Sequence, residues 1–238
     1  MAMTLTENAR APQQDRSRET RDLILETTLR ALARIGWNAT TTSVVAVESG
    51  VSRGAIQHHF PTKEALMRGV LEYMYESRNT SEFSITAEVP ADVDRFEYIA
   101  EQVLHYYASD HFKAALQMWT AAIGDPEFSE QLQLHGDRLA RAVYDRVVVV
   151  LNADTSDLRT HRLIQTTLDL SRGLGLADVL RDDSRRRKSV AKFWASELRS
   201  IVQLEPGAAG AGSGSGAGAT EVSDAADATA LASTANAS

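Results

Sequence analysis

The chain has 238 residues, 43% of them hydrophobic, and a net charge of −7, which excludes a disordered polyelectrolyte and leaves room for a buried core in one or two domains. It has no cysteine, so disulfides, thiolate metal sites and a cysteine nucleophile are ruled out and a reducing compartment fits. The N-terminal stretch shows no apolar run of signal-peptide length and no later segment approaches a membrane span, so no membrane partner and a cytoplasmic location are expected.

The acidity is uneven along the chain. Residues 205–238 carry four carboxylates and no Lys or Arg, whereas residues 1–80 carry a net +1. A local positive patch can form wherever the N-terminal arginines share a face.

In chain order, the first predicted helix runs from Ser17, as its cap, to Ile35. Ile24, Thr28, Ala31, Leu32 and Ile35 fall at helical spacing, and Gly36 stands just past the end. The arginines before and at its start, Arg10, Arg16, Arg18 and Arg21, fit either an arm along a polyanion or a solvated leader. A helix of two turns follows, with Thr41 as cap, Val45 and Ala46 inward and Gly50 as stop. Ser52 caps another short helix to about His58, Pro61 breaks it, and Thr62 caps a helix whose apolar face holds Leu66, Val70, Tyr73 and Met74.

Beyond a polar stretch at 79–92 the pattern is of long helices. Asp125 caps one that begins at Pro126 and carries Phe128, Leu132, Leu139, Val143, Val147 and Val150, and the run "VVVVL" continues it. Leu163, Leu170, Leu174 and Ala177 mark the next. Val190, Trp194, Leu198 and Ile201 mark the last, which starts at a capping Ser184 with the exposed run "RRRK" at 185–188. From Pro206 the composition collapses to Gly, Ala and Ser, too poor in large apolar groups to offset the entropy of ordering, so 205–238 is expected to be disordered. The fold class is all-α.

The segment "GVSRGAIQHHFPTKEAL" gathers Ser52, Arg53, Gln57, His58, His59 and Lys63 around the small residues Gly54 and Ala55. Two short helices joined by a glycine turn behind a longer helix is the arrangement that presents a helix to the major groove. Arg53 and Gln57 have the donor geometry for guanine and adenine edges, while Thr41, Ser52, His58, His59 and Lys63 suit phosphates. The same pattern serves an ordinary helical bundle with Val51, Ile56 and Phe60 as its core and the polar residues as its wet face. Pattern alone does not choose between the two.

The longer stretch from Ile24 to Leu71, "ILETTLRALARIGWNATTTSVVAVESGVSRGAIQHHFPTKEALMRGVL", closely resembles the DNA-binding domain of the tetracycline-repressor (TetR) family of bacterial regulators. The likeness rests on Gly36-Trp37, Thr40 and Thr41, "GVSRGAI" and "HHFPTKEAL". It implies a homodimer with a C-terminal ligand-binding domain whose last two long helices pair with those of the partner. It also implies DNA contacts for Thr41, Ser52, Arg53, Gly54, Ala55, Gln57, His58, His59 and Lys63. The family commonly has tyrosine where Gln57 stands and an acidic residue where Val44 stands, so base reading by Gln57 is an inference from its chemistry.

Under this resemblance the expected divisions are a flexible arm at 1–16, a helix-turn-helix domain at 17–62, a helical effector-binding and dimerisation domain at 63–204, and the tail. An effector pocket is expected from Phe96, Ile99, Val103, Tyr106, Tyr107, Phe112, Leu116 and Trp119, an aromatic-rich set that equally suits a core. A dimer interface is expected from Leu170, Gly173, Leu174, Ala177, Val190, Trp194, Leu198 and Ile201. Each glycine within the helical pattern costs about 1 kcal/mol relative to alanine, which a close helix contact would explain.

The expected activity is that of a ligand-responsive repressor of a palindromic operator. Activation through the same machinery is the alternative, and a helical adaptor is the rival outside gene regulation. An enzyme is not expected. Adjacent His58 and His59 diverge on a helix and cannot share a metal as an i, i+4 pair can, no catalytic signature appears, and no cofactor is anticipated.

Overall fold

The computed structural model describes residues 10–76 and 89–204. The expected arm before residue 10, most of the polar stretch at 79–92 and the tail from 205 lie outside the described residues. Among them are nine helices and no strand: α1 (Arg10–Ala39), α2 (Thr42–Ser49), α3 (Arg53–His59), α4 (Lys63–Glu76), α5 (Arg95–Tyr106), α6 (Asp110–Ala122), α7 (Pro126–Leu151), α8 (Leu158–Asp178) and α9 (Ser184–Leu198).

Most helix starts follow from local caps. Thr41, Ser52, Asp94, Ser109, Asp125 and Asp157 each accept a hydrogen bond from a backbone N–H of the first turn. Thr62 does the same for α4, accepting from the Ala65 N–H at 3.0 Å. Two helix starts depart from expectation. Helix α1 begins at Arg10, seven residues before Ser17, because the Ala, Gln and Arg residues between are good helix formers and Pro12 falls in the first turn, where its missing N–H costs no bond. In α9 the cap position is Asp183, whose side chain makes no capping bond, and Ser184 is already helical.

Two apolar clusters organise the helices. The first holds Ile24, Leu25, Leu29 and Leu32 of α1, Val45, Ile56, Phe60, and Leu66, Met67, Val70 and Leu71 of α4. It continues without a break into Ala114, Met118 and Ala122 of α6 and Phe128 and Leu132 of α7. The division expected at 62/63 therefore coincides with no break in packing. The second cluster joins α5, the C-terminal half of α7, α8 and α9 through residues such as Ile99, Val103, Val147, Ile164 and Leu198.

Two polar ties lock the second cluster to its neighbours. Asp178, buried at the end of α8, pairs with Lys113 of α6 at 3.2 Å and with Arg187 of α9, and accepts from the Asp183 N–H at 3.0 Å. Burial alone would raise the Asp178 pKa. The Asp183 N–H, Lys113 and Arg187 outweigh it and hold the carboxyl below its ordinary value. At the other end, the stretch after α9 returns to the α7–α8 turn, where the Asp154 N–H donates to the Val202 carbonyl and the Leu204 N–H to the Asn152 carbonyl, both at 2.9 Å.

Candidate functional site

Glycine 50 closes α2 in the left-handed region (φ 69°), where a side chain would be strained, and lets the chain turn into α3 within three residues. Ser52 then caps α3, its Oγ accepting from the Ala55 N–H at 3.2 Å. Ile56 and Phe60 anchor one side of α3 in the core. The opposite side, Arg53, Gly54, Gln57 and His58, is exposed, with Ala55 and His59 half-buried at its edges. These exposed positions follow i, i+1, i+4 and i+5 spacing, which makes them one continuous face.

Gly54 has no atom within 4 Å of where a Cβ would stand, so nothing inside the subunit requires a glycine there. Thr41 is exposed and accepts from the Val44 N–H at 3.3 Å. A hydroxyl that accepts from a helix N-terminus still has its own proton to donate.

Lysine 63 differs from the free phosphate contact that its resemblance implies. It is half-buried, its Nζ donates to the Trp37 carbonyl at 2.7 Å, and it lies 5.1 Å from the centre of the Trp37 ring. Burial lowers its pKa, against an opposing pull from Glu64. Trp37 is thus a junction. Its N–H donates to Gln117 Oε1 of α6 at 3.2 Å, and its ring lies 6.0 Å from that of Phe128 in α7.

Arg68 of α4 adds a second tie to α7, pairing with Glu127 at 2.9 Å. The arginines expected to lead α1 lie within it. Arg16 and Arg18 are exposed, while Arg21 pairs with Glu72 at 3.5 Å and stands over the Phe60 ring.

A cavity of about 440 Å³ opens between α4, the α5–α6 turn, α6, α7 and α8. Of the residues expected to form a pocket, Tyr106, Tyr107, Phe112 and Trp119 line it. Phe96, Ile99, Val103 and Leu116 do not: Ile99 and Val103 are buried in the second apolar cluster, and Phe96 and Leu116 pack against it. The remaining walls include residues not expected there, among them Leu71 and Met74 of α4, Leu132, His135 and Gly136 of α7, and Arg172 of α8. Gly136 is the detectable signal among these, a glycine inside a long helix with open space where its Cβ would be.

The α8 and α9 residues expected at a dimer interface divide in two. Leu174, Leu198 and Ile201 are buried within the subunit, and Trp194 donates its indole N–H to Thr167 Oγ1 at 2.9 Å. Leu170, Ala177 and Val190 are half-buried and Gly173 is exposed. The outward face carries other apolar residues, Leu176, Leu180 and Phe193, with Phe193 64% exposed.

The two glycines of α8 also divide. A Cβ at Gly175 would stand 2.0 Å from the Tyr107 carbonyl oxygen, whereas at Gly173 it would meet nothing within 4 Å. In the "RRRK" run Arg185, Arg186 and Lys188 are exposed as expected, but Arg187 turns inward to Asp178.

Residues 24–70 match the model of the family described as bacterial regulatory proteins, tetR family. The chain is 26% identical over 182 residues to the HTH-type transcriptional regulator CymR of Pseudomonas putida, covering 76% of this chain and 90% of that protein. It is 40% identical over 63 residues to the uncharacterized HTH-type transcriptional regulator YuxN of Bacillus subtilis, covering 26% of this chain and 22% of that protein. A crystal structure described as that of a TetR-family transcriptional regulator from Rhodococcus sp. superposes with a TM-score of 0.57 at 17% identity, over 76% of this chain and all of that one, a likeness of fold.

Proposed function

Because this chain belongs to the TetR family of bacterial transcriptional regulators, we propose that it is a homodimeric repressor that holds a pseudo-palindromic operator through α3. A small, partly apolar effector entering the cavity releases it. The observation that carries this reading is the α3 face, where Arg53 and Gln57 project one helical turn apart beside a glycine that no contact inside the subunit requires. A bare first turn lets backbone and side chains approach base edges, and each bidentate pair contributes about 1–3 kcal/mol of base discrimination. Thr41, Ser52, His58 and His59 flank that face and serve the phosphates, which fix register without reading sequence. Lys63 serves from behind, positioning α4 against the end of α1.

The pairing surface is the outward face of α8 and α9, built on Gly173, Leu176 and Phe193, with Leu180 of the turn between them. Leu174, Leu198 and Ile201 support it from within. Gly173 lacks an intrachain reason and gains one when a partner helix crosses at that point. Pairing sets the two α3 helices about 34–36 Å apart, the spacing of successive major-groove faces. Leu71 and Met74 are both cavity wall and part of α4, the helix that starts at Lys63. An occupant that displaces them shifts α4 and with it the setting of α3, and a coupling of about 1–3 kcal/mol suffices for the switch.

Selection of genomic fragments at a fixed salt concentration tests the reading, since affinity depends steeply on salt. Wild-type protein should retain one class of fragments containing an inverted repeat. The Arg53→Ala/Gln57→Ala protein should retain none selectively while still dimerising. Equal selectivity by both proteins would overturn the assignment of α3.

A further inference from the structure

Resting on the reading of the cavity as the effector site, we propose that its occupant is an apolar, ring-bearing molecule with a single oxyanion, bound by Arg172 and Tyr107. The walls supply the ring site. Tyr107 and Phe112 meet edge to face at 5.0 Å, and Phe112 and Trp119 do so at 6.0 Å. About 440 Å³ is within the range of small-ligand pockets.

The charge follows from what stands among these rings. Aromatic walls alone would attract a cation through their faces, but the Tyr107 face already has the Arg172 guanidinium 5.9 Å from its centre. Among the described lining residues, Arg172 is the only Lys or Arg, and the only carboxylate, Asp137, is exposed. Arg172 pairs with Asp169, 3.2 Å away, three residues earlier on α8 and 70% exposed, and its guanidinium also hydrogen-bonds the Tyr107 phenol oxygen. Exposed pairs of that kind contribute little, and most of the five guanidinium donors remain for a ligand.

The Arg172 side chain is 43% exposed, so a neutral occupant that covered it would strip its water and return nothing. An oxyanion replaces that water with a charge-assisted fork. The Tyr107 phenol supplies a further donor, because its burial raises its pKa despite the nearby guanidinium and keeps its proton on at neutral pH.

Titration calorimetry of the full-length protein with three probes of one size tests the proposal: 2-naphthoate, 2-naphthamide and 2-naphthylmethylammonium. The naphthoate should bind at least about tenfold more tightly than the amide, the worth of one charge-assisted hydrogen bond, and the cation should bind most weakly. Arg172→Met should abolish the difference between naphthoate and amide while leaving amide affinity within about twofold, and Arg172→Lys should keep part of it. Equal binding of naphthoate and amide by the wild type, or an undiminished preference in Arg172→Met, would overturn the oxyanion and leave the cavity reading standing. Failure of every probe to bind, or undisturbed binding in Gly136→Phe, whose ring would occupy the cavity, would overturn the cavity reading and the proposal together.

Discussion

Replacing Gly175 by alanine tests how α8 seats against the α5–α6 turn. The new Cβ would lie 2.0 Å from the Tyr107 carbonyl oxygen, 2.7 Å from its carbon and 3.0 Å from Phe112 Cε1. An ordinary C···O contact needs about 3.3 Å, so α8 must retreat by about 1.3 Å, because a main-chain carbonyl cannot rotate aside. Overpacking of this kind costs about 1–3 kcal/mol, here toward the upper end. Alanine returns about 1 kcal/mol of helix propensity.

The net loss is about 2 kcal/mol, or a fall of about 4–8 °C in Tm for a chain of this size. Gly136→Ala is the matched control. It lies inside α7, nothing stands within 4 Å of its Cβ, and it should gain about 0.4–1 kcal/mol. Urea denaturation of the three proteins at one concentration reads both signs. A Gly175→Ala protein as stable as Gly136→Ala would refute the close seating of α8 on Tyr107 and the cavity wall that depends on it.

Asp178→Asn leaves Lys113 and the inward Arg187 without their counter-charge and should cost about 3–5 kcal/mol at neutral pH, read by urea midpoint. The Asp178 pKa is lowered on folding, so its contribution is complete above the ordinary carboxylate value of 3.8 and is lost as pH falls through the lower folded value. The gap between wild type and variant should therefore close in acid, and a gap independent of pH would count against the buried pairing. Gly173→Leu should leave helicity by circular dichroism unchanged while shifting sedimentation toward monomer; an undisturbed dimer would place the pairing surface elsewhere. Ser52→Ala removes the α3 cap and should cost about 1 kcal/mol of stability, with a larger loss of DNA retention than of folding; equal losses would reduce Ser52 to a cap.

The turn between α2 and α3 was legible in the sequence because its determinants are local: Thr41 and Ser52 as caps, Gly50 at positive φ, and Ile56 and Phe60 as anchors. The start of α1 was not, since residues 10–16 are helical by propensity and offer no apolar period to detect. Aromatic content located the cavity and its walls at Tyr106, Tyr107, Phe112 and Trp119, but not the rest of its lining. Phe96, Ile99 and Val103 pack in or against the cluster that α5 forms with α7, α8 and α9, a tertiary fact that composition does not contain. Arg172 reads in sequence as one more solvated arginine, and only the approach of α8 to Tyr107 brings it beside the rings. Gly173 and Gly175 look alike in sequence, yet the carbonyl of Tyr107 accounts for Gly175, whereas Gly173 is exposed with nothing within 4 Å of where its Cβ would stand.

The central claim is that α3 is presented twice, by a symmetric pair of subunits, to one face of a DNA duplex. Hydroxyl-radical footprinting of the wild-type protein on a selected operator measures this directly. Two protected segments related by an inverted repeat, centred about one helical turn apart, are expected, and both should be lost together in Arg53→Ala/Gln57→Ala. A single unrepeated segment, or two that persist in the double variant, would contradict it.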